Sequence, residues 1–302
     1  MQKKLWSKEF VAVIAVTFFN SWAFFALLPT LPIYLLETLG MSHSNVGLII
    51  AAFSLSIIVI RPVAGYLVDN FHRFGVFILS VSVITVGYGI YPLACTFSSM
   101  LLLRFVHGAM WGIYTSSNAT LVGDIVPPSQ LGQAIGIYAL SIPVGMTVGP
   151  MFGLQLLKNQ GPNGMFLAIL GISFIALLGA VCARTPSSPI IRKKFSLPNL
   201  FHKKAFPISL CMCFIMIAYG AIIIFVSIYA GQRNFPNVPT FFICFSSTIF
   251  LSRLFAGRLF DRGHIFSLIL IGLVLTAVGM VWLGCAADST QFLVAGLING
   301  FG

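Results

Sequence analysis

Short polar, Pro or Gly breaks cut this chain into apolar runs of 20 to 28 residues. They lie at 10–36, 45–68, 74–96, 98–125, 130–157, 164–183, 206–231, 238–260 and 265–286, and a tenth begins near 290. A helix crossing the roughly 30 Å hydrocarbon core of a bilayer needs about 20 residues. Lipid offers no hydrogen bonds, so a spanning backbone must pair with itself inside helices or a closed barrel. The runs lack the two-residue alternation of barrel strands. Hydrophobic residues make up 58% of the chain and charged residues 8%, against about 25% charged in soluble domains. The chain reads as an all-α integral membrane protein with nine full transmembrane helices and the start of a tenth. The first run is 27 residues long and lacks a small-residue cleavage site, so it reads as a retained span.

A net charge of +11 would suggest nucleic acid in a soluble protein, but the placement of the charge argues otherwise. With the N-terminus in the cytoplasm, the inner side holds Lys3, Lys4, Lys8, Arg73, Arg184, Arg192, Lys193, Lys194, Lys203, Lys204, Arg258 and Arg262. The outer side holds only Lys158 and Arg233, and Arg61, Arg104 and Arg253 lie within spans. This is the positive-inside pattern. The expected partner is the lipid bilayer, with anionic headgroups as a second contact, and not nucleic acid. The expected location is the cell membrane, multi-pass, with a cytoplasmic N-terminus. All six cysteines sit in or beside apolar runs. Cys211 and Cys213 are two apart and would face different sides of a helix, so the cysteines read as small buried hydrophobes, with no metal or cofactor.

Residues 184–205 form the longest polar break, with three prolines and six basic residues. They read as a cytoplasmic linker between an N-terminal six-helix bundle (1–183) and an incomplete C-terminal bundle (206–302). A repeat supports this division. RPVAGYLVD at 61–69 returns as RLFAGRLFD at 253–261, an offset of 192 residues, matching Arg61, Ala64, Gly65, Leu67 and Asp69 to Arg253, Ala256, Gly257, Leu259 and Asp261. Both copies end the second span of their half, which describes two parallel-related units.

The stretch from Arg61 to Gly75 resembles the loop signature between helices 2 and 3 of the major facilitator superfamily, Gly-x-Leu-x-Asp-(Arg)-x-x-Gly-Arg. Gly65, Leu67, Asp69 and Arg73 fill it, with Asn70 where Arg is usual, and Gly257, Leu259, Asp261, Arg262 and Gly263 make the second copy. The resemblance covers essentially the whole chain and implies two six-helix bundles moving by alternating access. Gly65 and Ala64 would let backbones approach closely. Asp69 would accept from the N–H groups opening helix 3 or pair with Arg73, and Asp124 lies at the same depth. Gly65, Asp69, Arg73, Asp124, Gly257, Asp261 and Arg262 are thus the expected inner-face gating network, which the resemblance implies steadies the outward-open state.

Arg104 lies six residues from the outer end of the fourth span, roughly 9 Å deep. A charge near mid-bilayer costs about 2.5–3.5 kcal/mol on insertion scales and usually faces the bundle interior. Arg104, Gly108 and Gly112 resemble the superfamily's helix-4 motif, whose Arg is implicated in proton coupling. His107 replaces the usual Gln and titrates near neutral pH, so Arg104 and His107 are the expected coupling pair. Glu9, Glu37, Asp69, Asp124, Asp261 and Asp288 all lie at span ends or in loops. Gly145, Gly149 and Gly153 recur every four residues and form one smooth helix face. With Pro150 they resemble the antiporter motif of the family's exporters and imply a tight contact with the opposite half. Asn20, Trp22, Tyr114 and Asn118 are the polar handles of an otherwise apolar, aromatic cavity.

The expected activity is proton-coupled export of small amphipathic or lipophilic compounds by a monomer, driven by the proton gradient. One alternative is a truncated remnant without transport. Another is a ten-helix drug/metabolite-type carrier, which predicts an inverted repeat offset by half the chain and so is disfavoured by the offset of 192. A membrane-embedded enzyme would need an intramembrane cluster of acids, His or Cys, which the sequence lacks.

Overall fold

A computed structural model describes residues 5–183, 206–236, 238–261 and 265–302, and among these there is no strand. The helices are α1 Lys8–Ile33, α2 His43–Asn70, α3 Arg73–Ile90, α4 Phe97–Ile125, α5 Leu131–Cys182, α6 Phe206–Gln232, α7 Val238–Asp261, α8 Ile265–Cys285 and α9 Ser289–Phe301. Among the described residues, six segments are long and apolar enough to cross a membrane. α4 is as long as its neighbours, with 29 residues, but carries Arg104, His107 and a Tyr114–Asn118 polar stretch. The linker 184–205 lies outside the described residues.

Two boundaries differ from the sequence reading. α1 ends in a π-helical turn over Tyr34–Thr38, with Leu39 N–H donating to the Tyr34 carbonyl at 3.1 Å. Pro29 and Pro32 precede it, and proline removes a donor and crowds the turn before it. The expected gap between the fifth and sixth runs is a single joint. α5 continues through it and departs from helical geometry at Gly161, with φ 70° and ψ −175°. Glycine reaches this φ without a Cβ clash, and Pro162 then opens the second arm, where its missing N–H is not needed.

Contacts group the described residues into two units. The first holds those of Met1–Ala23, Tyr34–Gly145 and Leu156–Phe201, the second those of Phe24–Ile33, Met146–Gln155 and His202–Gly302. In the first unit α2 and α3 both pack on α4; in the second α7 and α8 pack on α9. These two trios correspond residue for residue at the 192 offset. A methyl at Gly108 would overlap the Phe53 carbonyl and the Ser56 hydroxyl, and one at Gly300 would overlap the Phe245 carbonyl and the Thr248 hydroxyl. Ser56 Oγ donates to Phe53 O at 2.8 Å and Thr248 Oγ1 to Phe245 O at 3.0 Å. Gly87 lies against His107, and Gly279 against Asn299. Both packed helices open on a side-chain cap: Thr96 accepts from Ser99 N–H at 3.2 Å, Asp288 from Gln291 N–H at 2.8 Å. No insertion interrupts the register from α2 to the start of α4 or from α7 to α9.

Candidate functional site

Arg104 is almost fully buried, at 1% exposure, and no carboxylate is seen pairing with it. Its Nη1 donates to the Tyr91 hydroxyl at 3.2 Å, and its guanidinium sits 4.2 Å from the centre of the Phe53 ring. A desolvated cation over an aromatic face is stabilised by about 2 kcal/mol or more. The Tyr91 oxygen is also 2.9 Å from His107 Nδ1. The Tyr88 ring stands edge-on to the imidazole at 4.7 Å, and Phe53 closes another side at 5.8 Å. Tyr91 itself stacks on Phe166 at 5.7 Å. Arg104 Nε, His107 Nε2 and the Tyr88 hydroxyl are buried without a hydrogen-bond partner. Each orphaned group costs about 1–3 kcal/mol, so apolar packing holds this site in place.

A second, uncharged cluster lies in the same unit. Asn118, fully buried, donates to Thr17 Oγ1 at 2.9 Å, to the Tyr114 hydroxyl at 3.1 Å and toward the Tyr138 hydroxyl at 3.5 Å. Asn20 faces the Tyr114 hydroxyl. Trp22 stacks with Phe19 one turn away, ring centres 6.2 Å apart. α1, α4 and α5 each supply part of this lining.

At the other end of α3, Arg73 grips Asp124 through both carboxylate oxygens, at 2.6 and 2.8 Å, and donates from Nε to the Val68 carbonyl at 3.3 Å. This ties α3 and α4 to the end of α2, where Asp69 sits. The cap of α3 is His72, whose Nδ1 accepts from Gly75 N–H at 3.2 Å. Gly65 is a correction to the expected close approach. It is exposed with no described atom within 4 Å of a Cβ placed there, whereas neighbouring Ala64 is fully buried. The buried face of α2 passes through 64, about 100° around the helix from 65. Arg262 and the side chains at Gly257 and Asp261 lie outside the described residues.

The glycine face of α5 meets α1, and its stretch Met146–Gln155 groups with Phe24–Ile33 and with the second half of the chain. A Cβ at Gly145 would come 2.7 Å from Ser21 Cβ, one at Gly149 2.8 Å from the Ala26 nitrogen, and one at Gly153 2.5 Å from the Ala26 carbonyl oxygen. Backbone-to-backbone approach of α5 and α1 uses up all three glycines. Pro150, inside α5, directly follows Gly149.

Tyr88, Tyr91, Thr17 and Tyr138 belong to these clusters and were missed by motif reading. Depth could have found Tyr91: it sits at the C-terminal end of the third span, the level at which Arg104 enters the fourth.

A buried cation among rings, uncharged polar lining and a duplicated helical scaffold together define a multi-pass helical membrane protein built by parallel duplication. A family model described as Major Facilitator Superfamily matches residues 13–302, and the chain belongs to that superfamily, whose members are transporters and not enzymes. The quinolone resistance protein NorA of Staphylococcus aureus is 30% identical over 144 residues, 46% of this chain. That match spans 37% of NorA's own length. A multi-drug resistance efflux pump PmrA homolog of Lactococcus lactis is 26% identical over 314 residues, covering 98% of this chain and 77% of that protein. Among solved structures, a bacterial homolog of the human lysosomal transporter Spinster, inward-facing and unoccupied, aligns at TM-score 0.76 and 17% identity over 100% of this chain and 73% of that one. The human organic anion transporter MFSD10 aligns at TM-score 0.69 and 18% identity over 97% and 82%. At these identities the structural likeness concerns the fold.

Proposed function

We propose that the chain acts in secondary active transport, exporting small amphipathic or lipophilic compounds in exchange for protons. The observation that carries this is the Arg104–Tyr91–His107 chain, a permanent cation joined through one phenol to a titratable ring inside the membrane. An efflux-pump relative aligned along 98% of the chain supports the direction. The Asn20, Trp22, Tyr114 and Asn118 region would receive the substrate, since uncharged donors and aromatic faces suit apolar compounds with few polar groups. The N-terminus would be cytoplasmic, the two six-helix halves would rock as monomeric carriers do, and Arg73–Asp124 would steady one state at the inner face. Gly65, Asp69, Gly257, Asp261 and Arg262 would belong to the same gate.

The test is export of a lipophilic fluorescent dye from proteoliposomes holding the full chain, with an imposed pH gradient. We expect gradient-driven export, and a loss of at least about 100-fold in Arg104→Ala per molecule of folded, reconstituted protein. Equal dye flux with and without the gradient would reject proton coupling, and unchanged export in Arg104→Ala would remove that residue from the mechanism.

A further inference from the structure

We infer that Tyr91 is the positioning residue of the coupling site, because the docking of Arg104 on its single hydroxyl and the protonation of His107 oppose each other. The inference rests on the coupling reading of Arg104 and His107 given above.

Hydrogen counting carries the argument. A guanidinium only donates, so the Tyr91 oxygen accepts from Arg104 Nη1 at 3.2 Å. The hydroxyl's own hydrogen then needs an acceptor, and His107 Nδ1 is 2.9 Å away. Either neutral tautomer leaves one hydrogen unpaired, on Nε2 or on the phenol, but the Arg104 cation on the Tyr91 oxygen makes that hydroxyl the stronger donor and the poorer acceptor, which favours Nδ1 as the lone-pair nitrogen and the ring proton on Nε2. The tautomer is thus assigned from the network. Nε2 is buried and has no partner, so it is the open port of the ring.

A proton added to His107 lands on Nδ1, where it turns that nitrogen into a donor. The Tyr91 hydroxyl must then rotate its hydrogen away and accept from both sides. Two cations would share one neutral oxygen in a low-dielectric site, where their repulsion is weakly screened. The groups facing His107 offer no compensation. They are Tyr88 and Tyr91 from the α3 side, Arg104 from its own helix and the apolar Phe53 from α2. The acids of the described residues with described side chains are Glu9, Glu37, Asp69, Asp124 and Asp288, all at helix ends. Loading the proton therefore favours release of Arg104 from Tyr91, and the return of Arg104 favours loss of the proton. Tyr91 converts a proton on one helix position into movement of a cation one turn away, as an exchanger needs.

The experiment uses the full chain, labelled with nitrogen-15 at histidine, in lipid nanodiscs. The His107 signals are assigned by subtracting the His107→Gln spectrum. Wild type should show the Nε2–H tautomer, and Tyr91→Phe, which keeps the ring and its stacking on Phe166, should show mixed tautomers. In proteoliposomes Tyr91→Phe should lose at least tenfold in gradient-driven export and flatten its pH profile. A wild-type Nδ1–H tautomer, or a Tyr91→Phe variant with the wild-type tautomer or an unaltered pH profile, overturns the proposal. A wild-type chain with the expected tautomer shift but no gradient-driven export overturns the coupling reading and leaves the hydrogen-bond assignment standing.

Discussion

The trio α2, α3, α4 and the trio α7, α8, α9 share one scaffold and differ in what fills it. Phe53 and Phe245, Ser56 and Thr248, Gly108 and Gly300, and Gly87 and Gly279 occupy equivalent places at the closest crossings. At the positions 192 residues beyond Arg104, His107, Tyr88 and Tyr91 stand Gly296, Asn299, Met280 and Leu283. The second copy closes its interior with rings instead. Phe241 stacks on Phe292 at 4.6 Å, and Phe235 on Phe292 at 5.0 Å, within an apolar cluster that includes Phe25 and Met146. The positions that set helix spacing were kept in both copies. The positions one helix face away were free to diverge, and among the described side chains only the first copy holds a buried charge.

Three measurements sharpen or break this comparison. If the crossings are equivalent, Gly108→Ala and Gly300→Ala should each destabilise by about 1–3 kcal/mol, because the added methyl meets a backbone carbonyl that cannot swing aside. Melting in detergent micelles reads this, and a loss confined to one variant would break the equivalence. Removing the caps should have a smaller and again matched effect. Thr96→Ala and Asp288→Ala each take an acceptor from a helix start, which costs about 1 kcal/mol, and the same melting assay should show two similar shifts. The smallest effect tests an asymmetric feature. Arg73 has Ile265 as its counterpart, so the Arg73–Asp124 pair is a device of the first copy. A double-mutant cycle with Arg73→Gln and Asp124→Asn should give a coupling of about 0.5–1 kcal/mol, since both side chains keep about a fifth of their surface in water. A coupling of zero would make the pair a bystander.

The features legible in the sequence were those with a period or a repeat. Apolar run length located the helices, and the duplicated RxxAGxLxD pattern gave the offset that the crossings later followed. Gly108 and Gly112 stood out by spacing. Side-chain direction was less legible. Gly65 was read as a packing glycine from its motif, but a one-residue rotation puts Ala64 on the buried face and leaves 65 open. Similarly, Gly145, Gly149 and Gly153 announced a close contact, but the motif pointed to the opposite half and not to α1, since small residues carry no chemical mark of what they touch. Tyr91 was silent because it follows the span that holds it and belongs to no motif. Only the antiparallel descent of α3 and α4 brings its hydroxyl level with Arg104. The Gly161 joint was hidden by Lys158 and Asn159, which looked like loop residues but continue the helix.

The gap-free register also bears on how the two copies can evolve. A lone Gly296→Arg change would bring a guanidinium to positions held by Leu283 and Met280 where the first copy has Tyr91 and Tyr88. Recreating the charged chamber would take coordinated replacements at 283, 296 and 299, and each alone is a liability. The duplication thus shares its spacing between the copies but not this chamber, which cannot be moved to the second copy one residue at a time.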